Sequence, residues 1–396
     1  MSLDLTRVAS QVGEMLSRLK SGLDERRQRL KNALDTLNSQ ADDIDALKKK
    51  IAAGKTTWLV ADLVDGLDKH YLPSDLPADF TVLATDGSHI DVDRHRAARC
   101  YLINIGSVIL HYGESPEALL DSSPTLYAGE EDLVITPTGS GREQVVEGGL
   151  LGIKRGVDEC RKLAELAAEM PVGSSSLALV DGTLILWGLE GYPEFVSQKL
   201  LDEGLLACLS DIKKLNNDRK VAVASFISLP RSTDVVNALR VAICPHDPPN
   251  CDVHCPGGKC DCEAVAGVRD RELFDEILSL GERSAIFISP SKIQGRYGEH
   301  RVYFFYIKLE DEVARVEVPE WVARNPELLG LTHGLVLDQC LRGHGYPVAL
   351  SEAHERAVVT MGDRDNFWRL VETSLVDEHL TAPTSGKDRS KKTRWV

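Results

Sequence analysis

From Val8 through Val12, Met15, Leu16, Leu19, Leu23, Leu30, Leu34, Leu37, Ile44, Leu47 and Ile51, apolar residues recur at steps of three, four or seven. That is the spacing of a narrow stripe along a helix. Arg26-Arg27 and the polar residues 39–43 interrupt the stripe, which predicts two helices or one broken one. Such a region either folds back on its own domain or serves as a dimerising arm. Past Pro73 and Pro77 the period shortens to that of strands. Phe80-Thr-Val-Leu-Ala-Thr85 is β-rich and runs into Asp86-Gly87, and 99–113 predicts a hairpin of Tyr101–Ile105 and Val108–Tyr112 turning at Gly106-Ser107. Helical spacing returns over 143–169, followed by a short buried strand at 177–180, a helix over 194–215, a strand over 220–227 and a helix over 233–242. Strands at 284–289, 301–309 and 313–317 precede closing helices at 330–342, 351–358 and 364–376. Strands first, then helix and strand in alternation, give an α/β plan with a mixed central sheet.

Composition narrows the class. The 396 residues are 43% hydrophobic and 27% charged, which excludes global disorder and supports a soluble globular protein. No apolar run approaches the roughly 18 residues of a membrane span. The first residues carry charges at Asp4 and Arg7 without an apolar stretch behind them, so a cytoplasmic protein is expected. The formal net charge is −15, which argues against a surface that grips nucleic acid throughout. That charge is uneven: residues 1–60 are net +3 and residues 383–396 net +4, the latter an aperiodic basic stretch expected to be a flexible tail. Four of the nine cysteines (Cys100, Cys160, Cys208, Cys340) lie singly in apolar segments, and the other five crowd into 244–262, a pattern for a reducing compartment plus one local feature.

Two segments share a local design, an apolar strand ending in Asp and followed by Gly and a hydroxyl residue: Val82-Leu-Ala-Thr-Asp86-Gly-Ser88 and Leu179-Val-Asp181-Gly-Thr183. One Asp-Gly pair is an ordinary turn. Two, with carboxylates converging from strand ends, repel each other unless a cation lies between them, and so suggest a divalent metal site. A third carboxylate could come from the helix before Asp181, where Glu143, Glu147, Asp158, Glu159, Glu165 and Glu169 are available. Near the C-terminus, Tyr346 precedes a proline and His354 follows in a predicted helix. Ala53-Gly54-Lys55-Thr56-Thr57 echoes a phosphate loop, but Lys49 stands where its first glycine is required and a helix precedes it. His89, Asp91, Asp93 and His95 alternate after the first motif and read as a polar turn in preference to a second metal site.

The ordered set of Asp86-Gly-Ser-His, Asp181-Gly-Thr-Leu and Gly345-Tyr-Pro with His354 resembles the NurA family of DNA-end-processing nucleases. The resemblance covers about residues 1–380. It implies an RNase H-like fold with a mixed five-stranded sheet and an acidic site, in manganese-dependent 5′ to 3′ nucleases that pair with the hexameric HerA ATPase and act in the resection of DNA double-strand breaks. By that resemblance Asp86 and Asp181 are the core metal ligands, His354 and Tyr346 complete the site, and a Glu on the preceding helix joins them, Glu159 by choice and Glu165 as the fallback. The metal is Mn²⁺, with Mg²⁺ as the alternative. Residues 1–72 then form a helical N-terminal region, 73–380 the nuclease domain, and a homodimer and a DNA contact at Arg231 are expected. The rival readings are a non-catalytic partner subunit scaffolding a DNA-translocating ATPase, and an RNase H-like enzyme acting on RNA.

The segment Cys244-Pro-His246-Asp-Pro-Pro-Asn-Cys251-Asp-Val-His254-Cys255-Pro-Gly-Gly-Lys-Cys260-Asp-Cys262 departs from that family pattern. Free thiols in a polar loop are prone to oxidation, so a bound metal is the better account. Zn²⁺ on four of the five cysteines, or with a histidine replacing one, is favoured over an iron–sulfur cluster.

Overall fold

The computed structural model describes residues 4–40, 43–93, 95–96, 98–137, 139, 141–256 and 260–380, so the expected tail at 383–396 lies outside the described residues. Two compact units divide the chain: Met1–Leu72 with Ser228–Ser291 and Tyr303–Val316, and Pro73–Ile227 with Lys292–Val302 and Glu317–Val396.

In the smaller unit the apolar stripe of the first residues forms three helices, Leu5–Ser21, Leu23–Gln40 and Ile44–Ala53. Ala33, Leu37 and Leu47 of the latter two are buried in one core with Val235, Val236 and Leu239 of helix Asp234–Ile243 and Phe274 of helix Asp270–Ile277. That shared core is why residues 228–291 group with the N-terminal helices. Asp270, with no exposed surface, accepts hydrogen bonds from the amides of Val235 and Val236 and from the Tyr306 hydroxyl, so a buried carboxylate starts one helix and ties it to a strand. Helix Leu5–Ser21 buries none of its residues.

The larger unit is built on a sheet ordered Lys220–Ile227, Ser175–Asp181, Phe80–Ile90, Tyr101–Tyr112, Glu117–Tyr127. Tyr101–Tyr112 runs antiparallel to both of its neighbours, and the first two strands run parallel to Phe80–Ile90. This is the RNase H-like mixed sheet, with helix Gly149–Glu169 and helix Val348–Ala357 packed on its central strands.

The structure differs from the sequence pattern at Gly106. Tyr101–Tyr112 is one continuous strand and not a hairpin. Gly106 pairs with Asp86, and a Cβ there would stand 2.2 Å from the Ala353 carbonyl oxygen and 2.5 Å from the Ala357 nitrogen. The glycine marks a helix crossing close over the strand, not a turn of the chain. Glu117–Tyr127 escaped prediction because most of it is exposed and gives no apolar period. The predicted helix 194–215 is present with a widened π-type stretch at Gln198–Leu206.

Gly106→Ala should force the helix Val348–Ala357 off the sheet. The expected loss is about 1–3 kcal/mol of stability, read as a lowered midpoint in thermal or urea unfolding; an unchanged midpoint would contradict the close helix–strand contact.

Candidate active site

Alternation along Phe80–Ile90 sorts the site onto two faces. Thr85 donates its hydroxyl to the Glu159 carbonyl at 3.0 Å, and a Cβ at Gly87 would lie 2.6 Å from Glu159 Oε1, so these residues face helix Gly149–Glu169. Asp86 and Ser88 face helix Val348–Ala357: Asp86 Oδ2 lies 2.7 Å from His354 Nδ1, and Ser88 donates to the Ala357 carbonyl at 2.5 Å. Because a carboxylate can only accept, Nδ1 is the donor, which leaves Nε2 able to bind a metal or take a proton. Parallel pairing with the neighbouring strand ends at Thr85 and Val180, so Asp86 and Asp181 each follow the last rung of the ladder at the same level. Strand ends at this position are where open α/β sheets place their ligands.

Tyr346 reaches Asp181 with its hydroxyl and packs edge-on to Phe226, ring centres 5.5 Å apart. Asp86, Asp181, Glu159, Tyr346 and His354 are thus brought to one end of the sheet. Glu165 is exposed and pairs with Lys162 on the outer side of the helix, and Asp158 is taken up by Lys154, Arg161 and the Tyr127 hydroxyl.

The electrostatics show strain among the carboxylates. Burial pushes Glu159 up to about 7, against the pull of Arg155, and Asp86 and Asp181 push it further. Asp181 is raised by partial desolvation and by Asp86, with Tyr346 opposing; it keeps open access to solvent at the strand end, so its shift weighs less than that of Glu159. Burial beside Asp181 also raises Tyr346, keeping the phenol protonated as a donor. Arg155 Nε lies 3.0 Å from Glu159 Oε1 but off the line of a hydrogen bond, so both buried atoms lack a hydrogen-bond partner.

Several positioning residues carried no signal in the sequence. Asn104 donates to the carbonyls of Arg356 and Ala357, holding the end of the His354 helix. Gln339 accepts from the Ala349 amide and donates to the Tyr112 hydroxyl, fixing that helix at its start. Glu317 accepts from Thr183 Oγ1 and the Leu184 amide, anchoring the turn after Asp181. Only Arg155, four residues before Glu159 on a helix, could have been found by spacing. Asp91 accepts from the Val92 and Gly148 amides and Asp93 pairs with Arg96, so that alternating run supports loops. Arg231 belongs to the smaller unit, where it is exposed and shares a basic neighbourhood with Arg26, Arg269 and Arg271.

Among the described residues, no three His, Cys, Asp or Glu side chains already stand around a common point able to hold a metal ion. The donor set nonetheless fits a divalent cation: hard carboxylate oxygens, one imidazole, and a buried Glu159 oxygen without a hydrogen-bond donor, in mutual repulsion that a cation would relieve.

The NurA domain family matches residues 80–359, which span all five of these residues. The chain belongs to the NurA family. Family membership marks it as a nuclease. The crystal structure of the NurA nuclease from Sulfolobus solfataricus superposes over 96% of this chain and 98% of that one, with a TM-score of 0.51 at 13% identity, a likeness of fold. A prototype foamy virus protease-reverse transcriptase overlaps 38% of this chain and 18% of its own, at 14% identity and a TM-score of 0.20. LC9-RNase H1 overlaps 42% of this chain and 71% of its own, at 10% identity and a TM-score of 0.20. No curated protein matches the chain by sequence.

Glu159 gives the NurA site a pH signature when metal is chelated. The folded state holds this proton up to about pH 7, whereas the unfolded chain releases it near 4.5, so stability falls as pH rises through that window. Glu159→Gln should remove about 3 kcal/mol of that decline, measured as wild-type minus variant unfolding free energy from pH 4.5 to 7.5 in chelator; parallel curves would show that Glu159 does not hold the proton.

Proposed function

We propose that this NurA chain is a metal-dependent deoxyribonuclease, working 5′ to 3′ with some endonuclease activity on single strands, in the resection of DNA ends. The observation that supports this most directly is the placing of Asp86, Glu159 and Asp181 at one sheet end, with Glu159 buried beside the two aspartates. Asp86 and Asp181, with Glu159 and His354, would hold Mn²⁺, or Mg²⁺ less well. Bound there, the metal activates water and neutralises charge on the leaving oxygen. The chain's own residues supply the rest. Where it does not ligate the metal, His354, oriented through Nδ1 by Asp86, can carry a second proton on Nε2 as the imidazolium and give it to the leaving 3′ oxygen. Tyr346, kept protonated, orients the Asp181 carboxylate and can donate to a phosphate oxygen.

The rival of a non-catalytic scaffold subunit is disfavoured by these contacts: a scaffold has no use for a desolvated acid cluster that costs stability. An enzyme for RNA is separated by substrate competition. Arg231, in its basic neighbourhood, would contact phosphates. With a net charge of −15 the isolated protein should bind DNA weakly and depend on delivery by a HerA-type hexameric ATPase. The same reading has the chain act as a cytoplasmic homodimer, supported by the exposed Leu5, Val12, Met15, Leu16 and Leu19 of the first helix. No helix among the described residues is long and apolar enough to cross a membrane.

Asp86→Ala and Asp181→Ala should each lower Mn²⁺-dependent degradation of end-labelled DNA by at least about two orders of magnitude, with folding intact by circular dichroism. Activity retained in both would sink the assignment, and the label position reads the polarity. Arg231→Ala should weaken DNA binding uniformly across sequences and flatten its salt dependence by about one unit of slope; an unchanged slope in a salt titration would remove Arg231 from the interface.

A further inference from the structure

All nine cysteines are free thiols, and five of them, Cys244, Cys251, Cys255, Cys260 and Cys262, line a single cavity of about 170 Å³ in the smaller unit. The segment that carries them has little else to hold it. Among its described residues, only Pro249 and Cys262 are buried, and Val253 is 63% exposed. Fixing each residue of such a loop costs about 1–2 kcal/mol of backbone entropy, and buried apolar surface is not available here to offset it. The loop is tied at its edges: Lys55 and Cys251 exchange backbone hydrogen bonds with Pro249 and Lys55, and Lys50 reaches the Cys244 carbonyl at the end of helix Asp234–Ile243. Its middle lacks an organic core.

The thiols are not equivalent. Cys255 lies against Cys260, and its next principal neighbours are Cys251 and Cys262. Cys244 enters the group through Cys262. His246 and His254 are stacked on each other, ring centres 3.9 Å apart and nearly parallel, engaged as a pair. The cavity wall also carries positive charge. The Arg240 guanidinium stacks on Trp58 at 3.6 Å, and its Nη2 lies 4.0 Å from Cys262 Sγ. Arg240 Nε and Trp58 Nε1 are both buried donors without a hydrogen-bond partner, in the wall of a cavity whose natural acceptors are sulfurs.

We infer that Cys251, Cys255, Cys260 and Cys262 bind one structural Zn²⁺ as thiolates, with Cys244 outside the ligand set. Four thiolates around Zn²⁺ carry a net charge of −2, and Arg240, together with the Trp58 indole N–H, faces that charge from the wall. Binding releases the thiol protons and draws four neighbouring side chains into a tetrahedron, closing the loop from the inside. The site is separate from the nuclease residues and stands whether or not the chain cleaves DNA.

The test is metal analysis of the full-length chain purified under reducing conditions. About one zinc per chain is expected, retained in Cys244→Ser and lost in Cys255→Ser and Cys260→Ser, with Cys340→Ser as a control that keeps it. Because a ligand variant can fail to fold, a second readout uses the wild type: titration with a mercurial should release zinc to a colorimetric chelator in step with modification of four thiols, and lower the unfolding midpoint. Wild-type protein holding neither metal, with every thiol freely titratable, would overturn the site. So would iron with inorganic sulfide in place of zinc, or zinc lost equally from Cys244→Ser.

Discussion

The repulsion among Asp86, Glu159 and Asp181 is the constraint around which the larger unit is arranged. Burial disfavours the charged form of Glu159, and the two neighbouring aspartates add to that cost, so left to itself a chain would turn such groups outward. Here they are held by groups that do not titrate at neutral pH: the Thr85 hydroxyl on the Glu159 backbone, the Asn104 amide on the end of the His354 helix, and the Gln339 amide on its start. Each such bond contributes about 1 kcal/mol. Their value lies in fixing two helices to the adjacent strands Phe80–Ile90 and Tyr101–Tyr112, so that the acids cannot relax apart without breaking the sheet contacts. The Glu159 oxygen that meets Arg155 without an aligned hydrogen bond is the visible residue of that arrangement.

How far the sequence announces this site depends on what kind of contact each residue makes. Asp86 and Asp181 are legible because strand-Asp-Gly is a local pattern repeated at two places, and Tyr346 and His354 because they stand in order behind them. Glu159 could not be separated from Glu165 by spacing, since both lie on one helix and only the tertiary contact with Gly87 distinguishes them. Gly106 misled for the same reason: within the strand it looks like a turn, and its cause is a helix more than 240 residues away in the chain. The strand Glu117–Tyr127 was invisible because an exposed edge needs no apolar alternation.

The division of the chain was the least legible feature. Helical periodicity in the first residues says that an apolar face exists, not what covers it, and the covering helices Asp234–Ile243 and Asp270–Ile277 arrive after the entire parallel sheet has been built. Such a discontinuous core is a long-range contact that periodicity cannot encode.

That discontinuity also bears on the charge. The chain leaves the larger unit after Ile227, one residue beyond Phe226, which pairs with Asp181 and packs on Tyr346, and re-enters it at Lys292. The excursion adds the basic neighbourhood of Arg231, Arg269 and Arg271 alongside Arg26, together with the cysteine-lined cavity. A site that must attract a cation needs uncompensated carboxylates, and a surface that must attract phosphate needs the opposite; mixing them within one patch would pair the charges off and serve neither. The acids stand on the sheet of one unit and the arginines in the other, and the counter-charges that each set does meet are local, Arg155 at Glu159 and Glu272 at Arg26. Asp86, Glu159 and Asp181 are three of the 61 Asp and Glu residues, so the net charge of −15 belongs to the wider surface and not to the acidic site.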